Sequence, residues 1–295
     1  MEKLETPSTD RPVDRLARWA PLASAADAWQ SVVKKVLESA GPAVVDALHG
    51  TPLGHPLHPL LTDVPVGAWT VTAVLDALEL AGKDDLAAGA DASLAIGIGG
   101  AVLAATAGWA DWSDADGEAK SLGLAHAGLN AVALGAYAAA LLLRRNGNRE
   151  TGIALGMIGY AFVSAAGYLG GELSFGRGVG VRQTGEPVTP PTDFVTVLDA
   201  GELAEGAMHR VEAQGVPVLL YREGETISAL SAVCTHAGGP LDEGSVKDGC
   251  VTCPWHGSTF RFSDGAAVHG PAVFPVSRYE ARIVQGKIQV RALAG

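Results

Sequence analysis

Cysteine is scarce in this chain of 295 residues: there are three, Cys234, Cys250 and Cys253. Three thiols cannot build a disulfide scaffold. Charge is scarce too. Only 18% of residues are Asp, Glu, Lys or Arg, and the basic share is the smaller, 21 Lys and Arg against 32 Asp and Glu. The resulting net charge of −11 argues against nucleic acid as a partner. The first thirty residues also lack an apolar run ahead of a small-residue cleavage site, so no cleaved signal peptide is expected. What remains is apolar. AVILMFWYC residues make up 48% of the chain, more than in a typical soluble protein, and there are 38 Gly.

The apolar content is concentrated in four long segments, at about 60–82, 92–110, 121–143 and 151–171. The last three carry no charge, and each reaches the roughly 20 residues a helix needs to cross a bilayer. The first carries Asp63, Asp76 and Glu79. Gly97, Gly99 and Gly100 suit close helix–helix approach in lipid. A soluble bundle would show polar stripes, which segments two to four almost lack. The reading is an all-α transmembrane four-helix bundle in the cell membrane, with the bilayer as its first partner. Ahead of it, residues 1–25 are polar, contain Pro7, Pro12 and Pro21, and are expected to be extended or mobile. Residues 26–40 form an amphipathic helix with Trp29, Val32, Val33, Val36 and Leu37 on one side. That side suits a membrane surface or the protein itself, and Gly41-Pro42 ends the helix.

Three histidines, His55, His58 and His126, lie in or beside the apolar region, His126 near Asn130. Imidazoles at membrane depth can ligate haem or bind a quinone head group. The plainer reading is preferred, because no haem-attachment motif is present. It places His55 and His58 at the interface, with His126 hydrogen-bonded across helices to Asp63, Asp76 or Asn130. Asp63 and Asp76 are read as buried hydrogen-bond partners. Residues 179–192 are a Gly/Pro-rich linker stiffened by Pro187, Pro190 and Pro191.

From Phe194 the pattern changes to short β-rich stretches at 194–198, 208–213, 217–222, 225–229, 259–261, 276–282 and 287–292. Between them lie Cys234-Thr235-His236 and Cys253-Pro254-Trp255-His256-Gly257-Ser258. Each loop supplies one thiol and one imidazole. A structural zinc knuckle more often clusters its cysteines together, whereas a [2Fe-2S] cluster with unlike irons needs each loop to reach both. The zinc alternative would use Cys250, Cys253 and His256, and leaves Cys234 and His236 without a purpose. Cys250 is read instead as a small buried apolar residue.

These two motifs resemble the cluster loops of Rieske proteins. The resemblance covers about the last hundred residues. It implies a [2Fe-2S] cluster, with Cys234 and Cys253 on one iron and His236 and His256 on the other. Ser258 matches the hydroxyl that hydrogen-bonds a bridging sulfide, and Gly270-Pro271 the proline-containing loop that covers the cluster. The respiratory members carry an extra disulfide and a Tyr near the cluster. Gly239, Trp255 and Phe260 stand at those positions here. With one donor to sulfur missing, the expected potential lies in the lower part of the family's range of roughly −150 to +300 mV. The pattern is closer to Rieske ferredoxins. The stretch from His49 through His58 to Asp63, with Gly67-Ala68-Trp69, resembles a family of small four-helix bacterial membrane proteins of no established function.

The expected organisation is a polar segment with an amphipathic helix (1–50), a four-helix transmembrane domain (51–178), the linker (179–192) and a small all-β Rieske domain (193–295). The expected function is a membrane-anchored carrier of single electrons between a membrane or soluble donor and an acceptor, with no catalytic residues of its own. The alternatives are a subunit of a larger oxidoreductase or oxygenase, or a redox sensor. A redox partner protein or quinone is implied. Loop charge decides little and leans to external termini: Lys83, Arg144, Arg145 and Arg149 oppose Lys120, Arg177 and Arg182. With no disulfide to form, the Rieske domain is placed on the cytoplasmic side.

Overall fold

The structure, a computed structural model, describes residues 11–183 and 189–293. It divides into two compact units, Met1–Ser39 with His58–Val179 and Ala40–Leu57 with Gly180–Gly295. Among the described residues there are seven α-helices: α1 (Pro12–Ala17), α2 (Ala20–Ala40), α3 (Pro42–His49), α4 (Leu57–Leu80), α5 (Ala87–Ser113), α6 (Gly117–Arg145) and α7 (Arg149–Gly171).

The helical unit begins earlier than the sequence suggests. Residues expected to be extended form α1 and the first turns of α2. Proline is the reason both for the expectation and for its failure. Pro12 sits at the start of α1 and Pro21 in the first turn of α2, where the missing N–H is an orphan anyway. Pro7 lies outside the described residues. Val13 and Ala17 are buried with Leu122 and Leu169, which fastens α1 to the bundle. The expected amphipathic helix is the body of α2. Ala26 and Val33 are buried near Trp112, but Trp29, Val32 and Val36 remain 47%, 46% and 61% exposed.

Helices α4 to α7 are each long and apolar enough to cross a membrane. They follow one another through short connections, the α-helical counterpart of hairpins. Their core holds Trp69 stacked on Tyr137 with ring centroids 4.2 Å apart, beside Leu94, Ala133 and Ala140. Gly97 makes this stack possible: a Cβ there would lie 2.3 Å from Trp69 Nε1. One end of the bundle is tied by charge. Buried Arg144 of α6 forks onto Asp76 of α4 and reaches Asp91 of α5, while Arg149 of α7 binds Glu79 and Asp91. Asp76 is thus a buried partner as expected, whereas Asp63 is exposed on the same helix. The outer faces carry aliphatic residues such as Val71, Val74, Ile96, Leu103, Val132 and Ile158, all about half exposed or more.

The β unit contains two antiparallel sheets. One has six strands in the order β1-β10-β9-β4-β3-β2, and the other four in the order β5-β6-β7-β8. The first comprises β1 (Val195–Asp199), β2 (Met208–Ala213), β3 (Val216–Glu223), β4 (Thr226–Ser231), β9 (Arg278–Val284) and β10 (Lys287–Ala292). The second comprises β5 (Ser245–Lys247), β6 (Cys250–Thr252), β7 (Thr259–Arg261) and β8 (Ala267–His269). β5, β6 and β8 have three residues each, too few for an alternation to be read from sequence. α3 and the turn Thr51–Leu53 belong to this unit, so the boundary expected at residue 51 falls inside it. Of the linker, Pro187 lies outside the described residues, and the Pro191 carbonyl accepts the Ala292 N–H at 2.7 Å.

Candidate functional site

Three connections of the β unit converge. The first joins β4 to β5 and carries Cys234 and His236. The second joins β6 to β7 and carries Cys253, His256 and Ser258. The third leaves β8 and carries Pro271. The first two close in the same way. Cys234 N–H donates to Gly239 O at 2.8 Å, and Gly238 N–H to Cys234 O at 3.0 Å. Cys253 N–H donates to Ser258 O at 2.8 Å, and Gly257 N–H to Cys253 O at 3.2 Å. The turn needs a left-handed residue four positions after each cysteine, which Gly238 (φ 77°) and Gly257 (φ 79°) supply. This repeated Cys-to-Gly spacing was available in the sequence as a signal for both glycines.

The closure aims backbone donors at sulfur. The N–H groups of His236 and Ala237 point to the Cys234 sulfur, and those of Trp255 and His256 to the Cys253 sulfur. The two thiols also bond each other. That bond, first, pulls Cys253 below the usual thiol range, and it pushes Cys234 above it, with burial adding to the rise. Cys234 and Cys253 are 1% and 3% exposed. They join a core of Leu219, Leu230, Leu241, Val251, Phe260 and Phe262.

The imidazoles form the second pair. The His236 and His256 ring centroids are 5.0 Å apart and nearly perpendicular, at 86°. Unlike the thiols, both rings are partly exposed. Among the described residues, no three Cys, His, Asp or Glu side chains gather as one metal ion would require. Two thiols side by side and two imidazoles side by side instead suit two irons with different ligands. Cys250 joins neither pair. It is partly exposed on β6, where the alternation that buries Val251 turns its neighbours outward, and its Sγ reaches Asp248 O at 3.7 Å. It is therefore not the buried residue expected, and the zinc alternative loses a ligand.

Ser258 is fully buried, and its Oγ accepts the Ala272 N–H at 2.9 Å. That bond uses an oxygen lone pair, leaving the hydroxyl proton to be donated. Thr235, between the first two candidate ligands, donates Oγ1–H to Phe274 O at 2.7 Å. Both bonds tie the Pro271 loop to the other two. Gly239 is a close-approach residue: a Cβ there would lie 2.9 Å from Cys253 Sγ and 3.0 Å from the Trp255 ring. Phe260 is fully buried and carries no donor. Sequence reasoning missed the other side of the loop, where Asp46 accepts the Gly270 N–H at 2.7 Å and His49 and Thr51 pack.

In the helical unit His58 and His126 come together, with ring centroids 6.4 Å apart. His58 Nδ1 donates to Ala104 O and His126 Nδ1 to Ala166 O, both at 2.8 Å. Asn130 Nδ2 donates to His126 Nε2 at 3.1 Å. The expected cross-helix bond of His126 goes to the Ala166 carbonyl of α7 and not to Asp63 or Asp76, while Asn130 bonds it from one turn away on the same helix. His55 is exposed in the other unit.

Residues 193–280 match the Rieske [2Fe-2S] domain family, and residues 54–183 the family described as "Predicted membrane protein (DUF2231)". Apoptosis-inducing factor 3 of Mus musculus is 34% identical over 111 residues, which are 37% of this chain and 18% of that protein. The anthranilate 1,2-dioxygenase ferredoxin subunit of Burkholderia cepacia is 38% identical over 74 residues, 25% of this chain and 68% of the subunit. The cytochrome b6-f complex iron-sulfur subunit of Chlorobaculum tepidum is 27% identical over 109 residues, 35% of this chain and 59% of the subunit.

Proposed function

Because the chain belongs to the Rieske [2Fe-2S] family through its C-terminal domain, we propose that it is a membrane-anchored carrier of single electrons. Bound at the site, the cluster supplies reversible one-electron transfer. Cys234 and Cys253 hold one iron and His236 and His256 the other. The paired geometry carries this reading: adjacent buried thiols beside crossed, partly exposed imidazoles, on two loops closed alike. The backbone N–H groups aimed at the thiolates and the Ser258 hydroxyl stabilise added negative charge on sulfur. The exposed edges of His236 and His256 face the redox partner.

The helical unit is the anchor. Its outer faces are aliphatic and its charges are paired inward or at its ends, the reverse of a soluble bundle. The exposed side of α2, with Trp29, Val32 and Val36, suits the lipid interface. The relatives include an oxygenase ferredoxin subunit and a cytochrome-complex subunit. The partner is accordingly an oxygenase or a cytochrome-type complex, with a quinone as the other candidate donor. The Rieske domain lies on the cytoplasmic side, which C-terminal reporter fusions active only on one side of the membrane will test.

The first experiment is low-temperature EPR on detergent-purified protein, before and after reduction, with metal analysis. A reduced-state signal with the low average g of a Cys/His-ligated cluster is expected, at two irons per chain. Zinc without such a signal would overturn the assignment. Cys253→Ser and His256→Ala should each abolish the signal, whereas Cys250→Ser should leave it intact.

A further inference from the structure

The β unit holds a piece of chain from outside the Rieske match at 193–280. Residues 42–53, α3 and the turn after it, lie against the third loop. Asp46 is the main contact. Its carboxylate accepts the Gly270 N–H at 2.7 Å and meets His269 Nδ1 at 2.9 Å. His49 is 2% exposed. A Cβ on Gly270 would lie 3.0 Å from both His49 Cδ2 and Thr51 Oγ1, so the arm approaches as closely as a glycine permits. Thr51 Oγ1 bonds Ala272 O at 3.4 Å. On its other side the same loop is bonded to Ser258 and Thr235. The loop is therefore clamped between the two candidate cluster loops and the arm.

We propose that this arm is a working part of the electron-transfer site. Asp46 is a positioning residue that holds the 269–272 loop over the cluster and lowers the cluster potential through its charge. The inference rests on the cluster assignment made above. Its physical basis is simple. Reduction adds an electron to the cluster, and a carboxylate in the wall of the site opposes added negative charge. The opposition is strongest where water is scarce, and Asp46 is largely buried. With the protonation of His269 unchanged, removing the carboxylate charge makes reduction easier.

The test uses the full-length protein in detergent, with the variants Asp46→Asn and Gly270→Ala. Asn at position 46 keeps a carbonyl oxygen for the Gly270 N–H but loses the charge. The reduced EPR signal should persist while the midpoint potential rises. Asp199→Asn, which breaks an exposed pair with Lys287, is the control and should leave the potential unchanged. Gly270→Ala keeps the charge but displaces the arm, so it should alter the g values and speed cluster loss several-fold. A wild-type potential in Asp46→Asn with its signal retained overturns the role of the charge. Wild-type g values and cluster lifetime in Gly270→Ala overturn the clamp, and decide it even where Asp46→Asn holds no cluster. No Cys/His-type signal in the wild-type protein would instead refute the cluster assignment itself.

Discussion

Single atoms near sulfur should set the electron affinity of the site. Ser258 Oγ, anchored by the Ala272 N–H, has its proton to give, while Phe260 has none. Donors to sulfur favour the reduced, more negative cluster. Ser258→Ala should therefore lower the midpoint potential, and Phe260→Tyr should raise it, both read by redox titration of the EPR signal. Equal potentials in all three proteins would show that these positions do not reach the cluster. At this scale much of the site was legible. Cys234, His236, Cys253 and His256 announce themselves by residue type and spacing. Asp46 does not, since an Asp on a short helix has no motif, and the stretch that opens at His49 points to the membrane family; only the folded chain brings the two residues to Gly270.

Helix contacts explain why small residues and one charge recur in the bundle. Gly97→Ala would drive a methyl into the Trp69 ring. Overpacking of this kind costs about 1–3 kcal/mol, seen as a lower unfolding temperature in detergent with the cluster signal unchanged. Arg144→Ala leaves Asp76 buried without its partner, a loss of about 3–5 kcal/mol by analogy with broken buried pairs. A double replacement of Arg144 and Asp76 by apolar residues should recover most of that loss. The four long helices were legible because their apolar runs far exceed any other element. Of the three-residue strands, β7 was expected at 259–261, but β5, β6 and β8 were not, because two or three side chains cannot display a period. The helical start of α1 and α2 was obscured by prolines that break a helix in its interior but fit its first turn.

The protein should float with lipid vesicles and resist extraction by alkaline carbonate, and it should be released by detergent with its cluster intact. Release by carbonate alone would remove the anchor from the proposal. The family of each half was legible from the motifs and the apolar runs. The interleaving of the two units was not, because the contacts that create it join residues far apart in sequence.

That interleaving has a kinetic side. Asp46 and Gly270 are separated by 224 positions. Ribosomes make the arm first, then four long helices, and only afterwards the loop that the arm covers. Closing so long a loop adds only about 0.6 kcal/mol for each doubling of its length, so the delay matters more than the entropy. Until residues 269–272 have been made, the wall of the site formed by residues 42–53 has nothing to close on, and the place for iron and sulfide stays open on that side.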